Sequence, residues 1–168
     1  YYYADPLFRE LGYTAVMFAI TSYSLGETRS SYYLSERELK KMAASGRREI
    51  QAHTHAGHEL YEIDEDGHVG HFYSNKLWRK DDQRIETDEE FRERITNDLT
   101  IAKEYIEKKL GVQVIAFAYP FGDYGQSSRN YPEATNIIDE EIKKIYPLTF
   151  YQLWPGKGDM INYPNSEN

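Results

Sequence analysis

The chain has 168 residues and carries 20 Lys and Arg against 28 Asp and Glu, a formal charge of −8. That length suffices for one domain with a real hydrophobic core, and an aromatic content of 15% argues against disorder. Lys and Arg are scattered beside Glu rather than gathered on one face, which excludes a phosphate-tracking surface and with it nucleic acid as a partner, while the absence of cysteine excludes disulfides and thiolate metal sites.

In chain order, "ADPLFREL" predicts a short helix ended by Gly12, and "TAVMFAI" (14–20) predicts a buried strand. Ser35 with Glu38 three residues on predicts a capping box and a helix that turns Leu39 and Met42 inward, ended by Gly46. "REIQA" (48–52) then runs as a strand straight into a group of histidines. A polar, aromatic insertion spans 59–86, the length of a functional or mobile loop. Thr87 caps the clearest helix with Glu90 as reciprocal partner, and Phe91, Ile95, Leu99, Ala102, Ile106 and Leu110 line one face up to Gly111. "QVIAFAY" (113–119) is a buried strand ending at Pro120, Phe121 and Gly122. Pro132 opens a last helix with Ile138, Ile142 and Ile145 inside, and "LTFYQLW" begins a final strand at 148–152.

This alternation predicts an α/β fold, a parallel sheet wrapped by helices, in which ligands bind beyond the carboxyl ends of the strands. His53 and Pro120 each follow a strand, so two distant segments meet at one rim. The longest apolar run, 15–20, is far too short to span a membrane. The chain opens without Met or the regions of a signal peptide and closes on a polar stretch, so 1–168 is expected to be a single partial domain cut from a longer protein.

All five histidines fall between 53 and 71, three of them in "HTHAGH" at 53–58. Imidazole is the commonest side-chain metal ligand. His53 and His55 share a face if the strand continues, and His55 and His58 are neighbours on a helix. His53 and His58 stand about 140° apart on a helix of roughly 3.6 residues per turn, so they converge only across a turn, which Gly57 is placed to allow. Spacing does not choose among the three pairings. It does exclude the HExxH zinc helix, because His58-Glu59 is followed by Leu60, Tyr61 and Glu62. A surface loop whose imidazoles only hydrogen-bond satisfies the same pattern.

Taken together, "HTHAGH", "FAYPFGDYG", "ADPLFRELGYTAVMFAI" and "LSERELKKMAASGRREIQAHTH" resemble the NodB-type polysaccharide deacetylases (carbohydrate esterase family 4), in particular the branch acting on poly-β-1,6-N-acetylglucosamine. The resemblance implies an incomplete, distorted (β/α) barrel without its first strand and closing elements. It implies hydrolysis of N-acetyl groups from an N-acetylglucosamine polysaccharide, a divalent metal with zinc first among them, and a location outside the cell or on its surface. Carried over by residue, it makes His53 and His58 the metal pair, Thr54 the brace of their loop, His55 a bystander, and the Phe121 backbone N–H the donor to the developing oxyanion. Two family features find no match. The Asp-Asp motif is expected before Tyr1, since the only such pair, Asp81-Asp82, lies in the insertion and reads as solvated charge. The late general-acid histidine has no counterpart, because no His follows His71. The alternative is a non-catalytic glycan-binding or structural domain that keeps the fold. Asp123, Tyr124, Trp78 and Trp154 are candidates for the border of a glycan groove.

Overall fold

The computed structural model describes residues 3–26 and 32–151. Helix α1 (Ala4–Leu11) stops at Gly12, whose φ of 70° suits a residue without Cβ, and leads into β1 (Ala15–Ile20). A single turn, α2 (Thr21–Ser24), follows, and later α3 (Glu36–Ala44) starts at Ser35 with the predicted reciprocal capping bonds to Glu38. Next come β2 (Arg48–Thr54), β3 (Leu60–Glu62), β4 (Val69–His71), β5 (Trp78–Arg79) and β6 (Arg84–Ile85). The long helix α4 (Asp88–Leu110) has its Thr87–Glu90 capping box and ends at Gly111 in the left-handed region. After β7 (Ala116–Ala118) a 3-10 turn at Pro120–Gly122 precedes α5 (Ala134–Ile145) and β8 (Leu148–Phe150). Trp154 lies outside the described residues.

The four predicted strands lie parallel in one sheet, in the order β1-β2-β7-β8. Among the described residues this sheet is open, with β1 and β8 as its edges. Helix α4 packs across β2 and against α5, burying Phe91, Ile95, Leu99 and Ile106 on Ile50, Phe117, Ile138 and Ile142. Each such side chain, fully removed from water, contributes about 1.5–3 kcal/mol. This layer fixes the carboxyl ends of β2 and β7, and with them the segments that follow.

Three expectations change. Strand β1 is not buried as a whole: only Ala19 and Ile20 are, and Val16 is 48% exposed, because β1 is an edge strand and no residue of α1 is buried. Strand β7 is shorter than 113–119. The buried Gln51 side chain takes over its first part, with Oε1 accepting from the N–H groups of Ile115 (2.9 Å) and Ala116 (2.8 Å) and the amide donating to Gln113 O (3.3 Å). The insertion at 59–86 is not an irregular loop but two antiparallel hairpins, β3–β4 and β5–β6. Arg94 of α4 pins it to the core, donating to both carboxylate oxygens of Glu86 (2.8 Å each) and to the carbonyls of Phe72 and Asn75, its guanidinium over the Phe72 ring.

Candidate active site

Strand β2 runs two residues beyond the predicted 52, to Thr54, so His53 is its penultimate residue. The His53 Nδ1 lies 2.7 Å from the carbonyl of Ala118, the last residue of β7. A carbonyl only accepts, so Nδ1 carries the proton and Nε2 keeps its lone pair for a ligand. Burial pushes His53 down to about 4; the Ala118 carbonyl opposes this shift and neighbouring His58 adds to it. His53 is therefore neutral at neutral pH, the form that binds a metal.

His58 comes back to His53 across the loop 55–57, the two ring centroids lying 5.0 Å apart. Of the three pairings that spacing allowed, this is the one the chain adopts. His55 faces elsewhere: its Nδ1 meets Thr21 Oγ1 at 3.0 Å and its ring lies edge-on to Tyr105. Gly57 is needed for a reason other than turn geometry. A Cβ there would stand 2.6 Å from the Tyr73 ring and 2.7 Å from Thr54 Oγ1, so the loop closes only where position 57 has no side chain.

The loop is held by a residue that the sequence reading passed over, Asp98 of α4, 5% exposed. Its Oδ2 accepts from Thr54 Oγ1 (2.6 Å), His55 N (3.1 Å) and Tyr73 OH (2.5 Å), and its Oδ1 from Ala56 N (2.7 Å). Thr54 Oγ1 in turn accepts from Gly57 N at 2.7 Å. Burial, and next the Asp98 charge, raise the Tyr73 phenol well above its usual pKa, so it remains a donor. The signal was readable: 91, 95, 98 and 102 follow the spacing of one helical face, so an acid at 98 stands among core residues and needs partners.

Phe121 sits in the 3-10 turn, two residues past Tyr119, which follows β7 and donates its N–H to Phe150 O at 2.8 Å. Its φ of 58° is left-handed, rare for a bulky side chain. The ring packs against two imidazoles, His58 at 4.4 Å and His71 at 4.5 Å, the latter nearly parallel. His71 Nδ1 makes a short bond to Asp123 Oδ2, and Asp123 is 1% exposed. Burial pushes the Asp123 carboxyl up, but Ser74 and His71 beside it outweigh this and hold it below its usual value. Asp123 is thus not a groove residue, as the sequence suggested, but a buried anchor for His71. The two are 52 residues apart, and no local pattern links them.

As donors, the two imidazoles fit two of the three protein ligands of a hydrolytic zinc site. Among the described residues the one group of three or more ligand side chains compact enough for a metal lies elsewhere, at Asp64, Asp66 and His68 on the β3–β4 tip. There Asp64 Oδ1 accepts from the N–H groups of Asp66 and His68, and Oδ2 meets His68 Nδ1 at 2.9 Å, so the group satisfies itself in solvent. Asp81 and Asp82 are exposed, and Asp82 bonds Arg79 at 2.8 Å, as solvated charge should.

Because His53 is neutral when folded and titrates at its ordinary 6.5 when unfolded, acid favours the unfolded state. Above pH 6.5 His53 does not affect stability; as pH falls from 6.5 to about 4, stability is expected to drop. The loss approaches about 3 kcal/mol at about 1.4 kcal/mol per pH unit. Urea unfolding of the metal-free protein and of His53→Gln at several pH values checks this, since the variant should lack that part of the slope.

A family model described as polysaccharide deacetylase matches residues 1–137. The poly-beta-1,6-N-acetyl-D-glucosamine N-deacetylase of Escherichia coli (strain K12) is 30% identical over 125 residues, 74% of this chain and 17% of that protein. The protein of the same name from Escherichia coli O157:H7 matches to the same extent. The chain thus spans 17% of the length of the curated relatives it matches. Among solved structures, the BpsB deacetylase domain from Bordetella bronchiseptica superposes with a TM-score of 0.76 at 23% identity, over 93% of this chain and 60% of that one. A de-N-acetylase from Aggregatibacter actinomycetemcomitans superposes with a TM-score of 0.71 at 16% identity, over 90% and 58%. At these identities the two structures establish a common fold.

Proposed function

The chain belongs to the polysaccharide deacetylase family, and from that membership we propose that it acts as a metal-dependent N-deacetylase on an N-acetylglucosamine polymer. The observation that carries this reading is the convergence of His53 and His58, with His53 Nδ1 committed to Ala118 and Nε2 left free. A bound divalent ion, zinc first, supplies Lewis acidity toward an acetyl carbonyl and an acidified water. The chain's own residues do the rest. Thr54 and Asp98 keep the histidine loop in one shape. The Phe121 N–H, beyond the sheet ladder, is the donor for the negative charge that grows on the carbonyl oxygen, a contribution of roughly 3 kcal/mol where such donors have been removed. His71, oriented by Asp123, is the group that hands a proton to the departing amine. Polymers of this kind are met outside the cytoplasm, which supports an extracellular or cell-surface location; among the described residues no helix is long and apolar enough to cross a membrane.

The reading is tested, on the chain extended upstream to include the Asp-Asp motif that the resemblance implies, by acetate release from β-1,6-linked N-acetylglucosamine oligosaccharides, with chelator and with zinc restored. Zinc-dependent release supports it. A folded, zinc-saturated protein that binds these sugars and releases no acetate would make it the non-catalytic glycan-binding domain instead. Within the enzyme, His71→Gln is expected to lower kcat by about 10²- to 10⁴-fold with KM nearly unchanged, the range of a lost proton donor. Asp123→Asn should move kcat in the same direction by less; a change in KM alone in both variants would assign the pair to binding.

A further inference from the structure

Between the two hairpins of the insertion lies a cleft of about 460 Å³, apart from the histidine pair. Its apolar wall is Ile63, Trp78 and Ile85, and its polar edge is Asp64, Glu65 and Arg129. We propose that this cleft is a subsite for a second hexosamine unit of the polymer, seated on the Trp78 indole; the proposal rests on the reading of the protein as an N-acetylglucosamine polymer deacetylase.

The cleft is built in advance rather than formed by chance between loops. The Asn130 side chain joins its two sides: Oδ1 accepts from Lys76 N (3.0 Å), and Nδ2 donates to Ile63 O (3.0 Å) and Lys76 O (2.9 Å). Arg129 is fixed beside it, its N–H donating to Asn75 Oδ1 (2.7 Å) and its guanidinium to Val69 O (3.0 Å). Trp78 is held opposite Ile85 in the β5–β6 ladder and stays only half-buried. A site ordered before binding spends little of its interaction energy on ordering.

The lining selects the ligand class. One aromatic wall with a few convergent polar groups is the make-up of a small-molecule site. Two carboxylates against one guanidinium disfavour a phosphate or another anion, and the polar edge disfavours a lipid tail. Neutral hydroxyl-rich rings suit it: carboxylates accept from hydroxyls, guanidinium donates to ring and hydroxyl oxygens, and the indole covers an apolar sugar face. Position ties the cleft to the active site. His68, on its border, directly precedes β4 and is three residues from His71, about 10 Å at roughly 3.4 Å per residue. His71 meets the Phe121 ring at 4.5 Å, and that ring meets His58 at 4.4 Å. An oligosaccharide of several units spans this path, so a polymer with one unit at the histidine pair reaches the cleft with a later one.

Trp78 and Trp154 are the only tryptophans, so a Trp154→Phe variant makes Trp78 the sole indole reporter. Titration with a β-1,6-linked N-acetylglucosamine hexasaccharide is expected to shift Trp78 emission with the midpoint found by calorimetry, while the monosaccharide leaves emission unchanged. Trp78→Ala should weaken hexasaccharide binding about tenfold and leave acetate release from the monosaccharide as it was. Glu65→Gln, at an exposed position, should weaken the hexasaccharide in the same direction without affecting the fold. Hexasaccharide that binds Trp78→Ala as tightly as the parent, with Trp78 emission unchanged at saturation, overturns the subsite and leaves the deacetylase reading standing. A parent protein that neither binds nor turns over any of these sugars overturns both.

Discussion

Asp98→Ala is expected to cost about 3–5 kcal/mol of stability and to remove activity with it, since the donors it leaves behind are buried. Thr54, Tyr73 and the N–H groups of His55 and Ala56 all end on this one carboxylate. An orphaned buried donor costs about 1–3 kcal/mol, and relaxation or a trapped water recovers part of the sum. Domains of this size have only about 5–15 kcal/mol in total, so the variant should show a much lower urea midpoint at unchanged slope. Asp98→Asn separates charge from shape. Its amide keeps one acceptor oxygen and adds a donor that faces donors, so an intermediate loss is expected. An Asp98→Ala protein within about 1 kcal/mol of the parent, the range of an ordinary substitution, would mean that the loop is held by other contacts.

The second large effect separates the three histidines of the loop. In the chain extended upstream to include the Asp-Asp motif that the resemblance implies, His53→Ala and His58→Ala should each abolish zinc binding by calorimetry and lower acetate release on the order of 10³-fold, because several kcal/mol of metal-derived stabilisation disappear at about 1.4 kcal/mol per decade. Without that motif zinc should bind only weakly. His55→Ala loses its bond to Thr21 and its edge contact with Tyr105. That should cost about 1 kcal/mol of stability, the worth of a typical hydrogen bond, and leave zinc affinity and rate in the parent's range. If His55→Ala is the damaging change instead, the metal pair is not His53 and His58.

The fold was legible where one local rule decides an element. Ser35 with Glu38 and Thr87 with Glu90 announced both capping boxes, and the apolar runs 14–20 and 113–119 announced parallel strands. It was illegible where a distant side chain does the work of backbone. Gln51 supplies the bonds that shorten β7, and Arg94 and Asn130 shape the hairpins that polar composition presented as a loop. The site divides in the same way. "HTHAGH" and "AYPFG" are contiguous and each follows a strand, so they could be read. The Asp98 brace was encoded in helical spacing and overlooked, whereas the His71–Asp123 pair exists only because two elements meet in space.

The backbone of Phe121, at φ 58°, bears on engineering. A bulky residue held there costs on the order of 1–3 kcal/mol, and glycine would adopt the same conformation freely, as Gly122 does next door at φ 65°. Glycine would also delete the ring that touches both His58 and His71. At this position relief of backbone strain is therefore set against lost ring packing and the added freedom of an unfolded glycine. A library ranked by melting temperature alone reads only that balance and is blind to what the same ring does for the two imidazoles.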